Sequence, residues 1–302
     1  MTKIKAANHH WWPICVSKHW REENGLINRI QPNGRLSKGP PKKSGLIKDG
    51  HNIKLKQGED SSSPFDTSFE DEFDIADSNF PNVIKWLENL VYTSKFNDHL
   101  EDRFIPQTCT KEDLDMLTEC VVSLAVRSPQ NREGYVSLIE SIGGEISSNK
   151  AIEIKLNMIR KQREIVKVIK NSEVKFAVLY SNSKEFIYGD GFFTNIVGNV
   201  EAPNFPYMVV PITPSISVVM VKPSSYRPEI KLSTLVLRDS EIETCNHTIQ
   251  IYSKKEVFYK SHKPNIYEDF RCEKHLRYAE IDNPMSILIN NMPGMSSFIR
   301  FG

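Results

Sequence analysis

The sequence predicts an α+β fold: a central helical bundle packed beside a mixed β-sheet, with a β-hairpin segment at the N-terminus. Three observations carry that expectation. Apolar residues recur at helical spacing from about residue 81 to residue 171. After Asn171 the pattern changes to short, nearly continuous apolar runs, which marks strands covered on both faces. Before residue 57, short alternating runs are separated by turn chemistry such as Pro32-Asn33-Gly34, where Asn-Gly favours the positive φ of a hairpin.

Taken in order, residues 26–30 and 52–56 alternate weakly like half-exposed strands, and 36–43 carries Gly39-Pro40-Pro41 as a loop. Residues 57–79 hold Ser61-Ser62-Ser63-Pro64 and then acidic residues from Asp66 to Asp77, with no helical period. That composition predicts a mobile acidic loop. The second reading is an acidic mimic docked over a basic site, with Phe65, Phe69 and Phe73 as anchors. A first helix is expected to begin at Pro81, with Ile84, Leu87 and Val91 on one face. Thr110 and Asp113 form a capping box for a second. Its stripe is Leu114, Leu117, Val121 and Leu124, and it stops before Pro129. Tyr135, Leu138, Ile139 and Ile142 mark a third helix. Ile152, Leu156, Ile159, Val166 and Ile169 mark a fourth. Residues 175–180 and 185–188 read as a hairpin around Asn182-Ser183, and 207–210 and 216–221 as a second pair. A helix at 236–253 and a short strand at 257–259 follow. The main domain is thus 1–262, and 263–302 is a C-terminal extension.

The chain has 302 residues, with 39 basic and 38 acidic side chains and a formal net charge of +1, so no global field draws it to nucleic acid or membrane. Its 5 cysteines are odd in number and scattered, which argues against a disulfide framework and for a reducing compartment. No apolar signal core follows Lys3 and Lys5, and no apolar run approaches the roughly 20 residues of a membrane span. A cytoplasmic location without membrane contact is therefore expected.

Landmarks along residues 7–262 resemble the family called domain of unknown function 4238. They are His10-Trp11-Trp12-Pro13 with Trp20, then Val126-Arg127-Ser128-Pro129 with Arg132, then Tyr188-Gly189-Asp190-Gly191-Phe192. Val210-Pro211-Ile212-Thr213-Pro214 and a late helix with Asn246, closed by Val257-Phe258-Tyr259, complete the order. Ser17 stands where the family has Leu, and only the Asp of its Ser-Asp-x-Pro is kept. The resemblance implies the fold, a bacterial origin and a phage-defence or toxin-like role; the family carries no settled activity.

Several residues have chemical potential. A His can act as a general base, an Asp can orient it and an Arg can hold a phosphate bidentately, so His10, Arg127 and Asp190 are the catalytic candidates for phosphodiester cleavage. The structural alternatives are a helix cap for Arg127 and a closed turn for Asp190. Lys155, Arg160, Lys161, Arg163 and Lys167 on the fourth helix are the candidate nucleic-acid contacts, against a plain solvated face. His9, His10, Cys15 and His19 cluster in sequence, with His51 the nearest further ligand, but they lack the closed four-ligand spacing of structural zinc. No metal site is assigned, and no cofactor is legible. Glu229-Ile230-Lys231 and Glu153-Ile154-Lys155 match half of a metal-nuclease pattern. Phosphate-loop, dinucleotide and nucleophile-elbow signatures are absent. Two functions follow as expectations: a nucleic-acid-directed hydrolase acting as a defence or toxin-like effector, and a non-catalytic module that senses a ligand or a phage protein. The expected partners are correspondingly nucleic acid or another protein.

Overall fold

The structure is a computed structural model that describes residues 8–48, 50–53, 67–93, 99–134, 150–195, 206–222, 230–273 and 284–295. From the N-terminus its elements are β1 (Asn8–His10), α1 (Ile14–Ser17), β2 (Ile27–Ile30), β3 (Leu36–Gly39), β4 (Leu46–Lys48), β5 (Asn52–Ile53) and β6 (Thr67–Ser68). The centre holds α2 (Asp74–Glu88), β7 (Ile105–Gln107), α3 (Lys111–Arg127) and α4 (Lys150–Lys170). Then come β8 (Lys175–Tyr180), β9 (Tyr188–Gly189), β10 (Phe193–Thr194), β11 (Tyr207–Thr213), β12 (Ile216–Val221) and β13 (Leu232–Val236). The last elements are α5 (Asp239–Tyr252), β14 (Val257–Tyr259), α6 (Glu268–Arg271) and α7 (Met285–Asn290). The fold is α+β, as the change of period at Asn171 predicts.

The main sheet has the order β10-β11-β12-β8-β13-β7, and only the β8–β13 pairing is parallel. Strands β8 and β12, expected to share a sheet, lie side by side with Ser217 opposite Leu179. All residues of both are buried, which explains their unbroken apolar character. A second sheet has the order β3-β2-β14-β9. Its β2–β3 hairpin turns at Asn33-Gly34, where Gly34 has φ +79°. Residues 36–39, read as loop, are thus its second strand.

Helix α3 packs against both α2 and α4 and touches β11. Its capping box is present: Thr110 Oγ1 accepts from the Asp113 N–H at 3.1 Å, and the Asp113 carboxylate accepts from the Thr110 N–H at 2.9 Å. The N-terminal aromatics pack on the second sheet. Trp12 stacks on Tyr188 of β9 at 4.3 Å and meets Trp20 edge-on at 5.4 Å, while the Trp20 indole donates to the Phe186 carbonyl at 3.3 Å.

Several expectations need correction. Residues 185–188 form no hairpin with β8, because β12 and β13 already hold both of its edges; Tyr188 and Gly189 pair instead with β14. Helix α2 begins at Asp74, so Pro81 lies inside it, and Val91 lies beyond its end, 68% exposed. Proline has no N–H for the carbonyl four residues earlier. That carbonyl, of Asp77, faces the Cys15 thiol instead, with Sγ at 3.9 Å. On α4 the buried side carries Met158, Lys161, Ile165, Val166 and Ile169, whereas Leu156 is 48% exposed. Strand β13 had no counterpart in the sequence reading. The expected third helix lies outside the described residues, apart from a helical stretch at 129–134.

The acidic segment departs most. Its described part, 67–79, is β6, a 3-10 turn at Glu70–Phe73 and the start of α2. Phe69 and Phe73 are buried, and Glu72 pairs with Arg163 of α4. Residues 67–79 thus pack on the fold, while 57–66 of the expected loop lie outside the described residues. Apolar anchors every four residues bury well even in an acidic stretch.

Candidate functional site

Strand β1 runs antiparallel to β4, with His9 opposite Ile47 and His10 opposite Leu46. Strand alternation turns the two neighbouring rings to opposite faces. His10 is half-buried, and its Nδ1 has no hydrogen-bond partner among the described residues. Burial lowers its pKa, aided by the Arg127 charge; a backbone hydrogen bond at Ser44 and the charges of Asp77 and Glu70 oppose this.

Arg127 closes α3 and is 1% exposed. Its guanidinium grips Asp77 bidentately, Nη1 to Oδ2 at 3.1 Å and Nη2 to Oδ1 at 2.6 Å. It also donates from Nη2 to the Ser123 hydroxyl at 3.2 Å and from Nε to the Ser123 carbonyl at 3.4 Å, and it lies over the Phe73 ring at 4.5 Å. The fork a phosphate would use therefore holds a carboxylate from the acidic segment.

Asp190 is fully buried and accepts the backbone N–H groups of Lys254 at 2.8 Å and Lys255 at 3.0 Å. Burial pushes its pKa up to about 7 against the pull of those two hydrogen bonds, and its charged neighbours include Glu133, Lys255 and Glu256. The structure thus brings His10 and Arg127 into one neighbourhood, around Asp77, and gives the Asp190 carboxylate to the turn before β14. Among the described residues no hydrogen bond or ion pair joins Asp190 to His10 or Arg127.

The basic face of α4 is largely engaged within the molecule. Arg160 lies 3.6 Å from Glu164, Arg163 pairs with Glu72 and Lys170 meets Glu119 at 2.7 Å. Lys161 is buried and donates to Asn131 Oδ1 at 3.0 Å; burial pulls its pKa down to about 7. Lys155 is half-buried, and Lys167 is exposed to solvent. Arg160, Arg163 and Lys167 keep exposed side chains, with the carboxylates of Glu164 and Glu72 set beside the two arginines.

The sequence cluster of His9, His10, Cys15 and His19 also separates. Cys15 is turned to the Asp77 carbonyl and its thiol pKa is raised to about 11 by burial, while His19 lines a cavity with Glu88 and Lys260. His9 instead meets His51 and Glu70. The two imidazoles lie 4.8 Å apart between centroids, His9 Nε2 is 3.8 Å from Glu70 Oε2, and one ligand atom from each of the three lies within 4.8 Å of the others. Sequence spacing hides this set, because its members come from β1, the turn after β4 and the turn after β6. The one available signal was that His51 is the nearest histidine beyond the first cluster. Glu229 of the metal-nuclease pattern lies outside the described residues, and Lys231 pairs with Glu173 at 3.3 Å.

The chain matches no family model, no curated protein and no solved structure. Among the described residues no helix is long and apolar enough to cross a membrane.

Proposed function

We propose that the chain is a non-catalytic binding module that senses a protein partner. The observation that carries this reading is the Asp77 carboxylate in the Arg127 fork. A phosphate substrate would have to displace a bidentate carboxylate from a buried cation. A surface for a partner exists elsewhere. Two adjoining cavities, about 370 and 240 Å³, share Ser183, Lys184, Glu185 and His262. Their walls mix Lys184, Lys260 and Lys263 with Glu185 and Glu243. Mixed charge suits a protein surface better than a polyanion. The sensing of a phage protein rests on the resemblance described above.

The hydrolase reading keeps one favourable observation, the His10 ring, its pKa lowered by burial, near Arg127 and Asp77. One experiment separates the two. Wild type, His10→Ala and Lys184→Glu are expressed in cells, and growth, partner cross-linking and DNA and RNA integrity are followed. Lys184 is a surface residue paired with Glu243, so its replacement leaves the core intact. The module reading expects intact nucleic acid throughout, with cross-linking kept in His10→Ala and lost in Lys184→Glu. Nucleic-acid breakdown that depends on His10 would overturn it.

A further inference from the structure

We infer that His9, His51 and Glu70 form a binding site for a single transition-metal dication of the zinc class. The inference stands apart from the proposed function and does not rest on it. It begins with His51, which is 2% exposed. Neither of its ring nitrogens has a hydrogen-bond partner among the described residues. A neutral imidazole carries one N–H and one lone pair, and burying such a group unsatisfied costs about 1–3 kcal/mol. Native interiors rarely tolerate that for both nitrogens of one ring. Coordination of an ion by one nitrogen would put the ring's lone pair to use.

The surroundings agree. His51 lies against His9, their ring centroids 4.8 Å apart. Phe69 and Phe73 hold it at 5.1 and 5.2 Å, an apolar wall of the kind that fixes a ligand's orientation. His9 is buried beside it, and Glu70 supplies a carboxylate 3.8 Å from His9 Nε2. Two imidazoles and a carboxylate are a zinc donor set; magnesium and calcium prefer oxygen ligands alone. Metal–ligand bonds near 2.0–2.1 Å place donor atoms roughly 3.4 Å apart. Closing the present separation of up to 4.8 Å needs a shift of about 1.4 Å. Glu70 Oε2 is already 3.8 Å from His9 Nε2, and its side chain, 63% exposed, has room to adjust.

The neighbouring cations are Arg127, Arg132 and Lys155. Arg127 is neutralised by Asp77 at 2.6 Å, and Arg132 donates to the Gly50 carbonyl at 3.3 Å, beside His51. Three protein ligands leave one position for water on the exposed Glu70 side. The ion would also tie β1 and the turn at residues 50–51 to the acidic segment that carries Asp77.

The test uses the full chain, purified without an affinity tag and freed of metal. Zn²⁺ is titrated by calorimetry, Co²⁺ by visible absorption and bound metal by elemental analysis, for wild type, His51→Gln and Glu70→Gln. The expected result is one Zn²⁺ per chain, a Co²⁺ spectrum of four-coordinate intensity and a higher melting temperature with metal. His51→Gln should abolish binding and Glu70→Gln should weaken it at least ~10-fold. Should His51→Gln fail to fold, the exposed Glu70 position decides alone. The assignment is overturned if wild type binds no Zn²⁺, or if Glu70→Gln binds it as wild type does.

Discussion

At Asp190, burial and hydrogen bonding act in opposite directions, and burial wins, raising the pKa to about 7. Folding then adds a proton to this carboxyl between about pH 4, its unfolded value, and about pH 7. Its contribution to stability is full below about pH 4 and is lost as pH rises through about 7. His51 works the other way: burial lowers its pKa to about 2, so its contribution is full above its unfolded value of about 6.5 and is lost as pH falls toward about 2. Between about pH 4 and 6.5 the two slopes oppose each other. Asp190→Asn removes one of them. Its unfolding free energy, from urea titrations, is expected to rise with pH more steeply than that of wild type, by up to about 1.4 kcal/mol per pH unit. Its absolute stability should fall by about 1–3 kcal/mol, since an amide nitrogen facing a backbone N–H leaves that donor unsatisfied. Identical pH slopes in the two proteins would show that Asp190 does not titrate in this range.

Elements were legible where their signals are local. The Thr110–Asp113 box and the stop before Pro129 lie within α3 and its caps, and both appear as expected. The start of α2 was missed because proline usually opens a helix, while here Cys15, from a distant segment, takes the carbonyl that Pro81 leaves free. The pairing of β9 was missed for a related reason: it depends on contact with α5. A Cβ built on Gly189 would lie 2.0 Å from Ser253 Oγ and 2.8 Å from Ile249 Cγ2. Only glycine lets the strand approach the helix this closely. Gly189→Ala is expected to lower stability by at least about 3 kcal/mol, at the upper end of overpacking, measured by thermal or urea unfolding. A loss under about 1 kcal/mol would mean that β9 and α5 separate readily.

For the molecule as a whole, the boundary at residue 262 is the informative place. The segment read as an extension contributes to both cores. Phe270 is fully buried in the larger hydrophobic cluster, and Met285, Leu288, Ile289 and Met292 are buried in the other, which includes Cys245 and Tyr252 of α5. Burial of one large apolar side chain contributes about 1.5–3 kcal/mol, and a whole domain is stable by only about 5–15 kcal/mol. A chain ending at residue 262 is therefore expected to lose its cooperative melting transition and to aggregate. A sharp melt near that of the full chain, followed by circular dichroism, would make 263–302 a true appendage.

What the amino-acid order determined by itself is the class of the fold and the identity of its most regular pieces. Period and capping are properties of neighbours in sequence, and they placed α3, β8, β11, β12 and β14. What only the tertiary structure decided is which distant groups meet. Asp77 reaches Arg127 across 50 positions, and Lys254 reaches Asp190 across 64. His9, His51 and Glu70 converge from three segments. The acidic segment shows why. Its charges predict solvation when read alone, yet Phe69 and Phe73 find an apolar wall, and Arg127 and Arg163 find its carboxylates. Burial energy and ion pairing depend on partners supplied by the rest of the fold, so the composition of one stretch cannot report them.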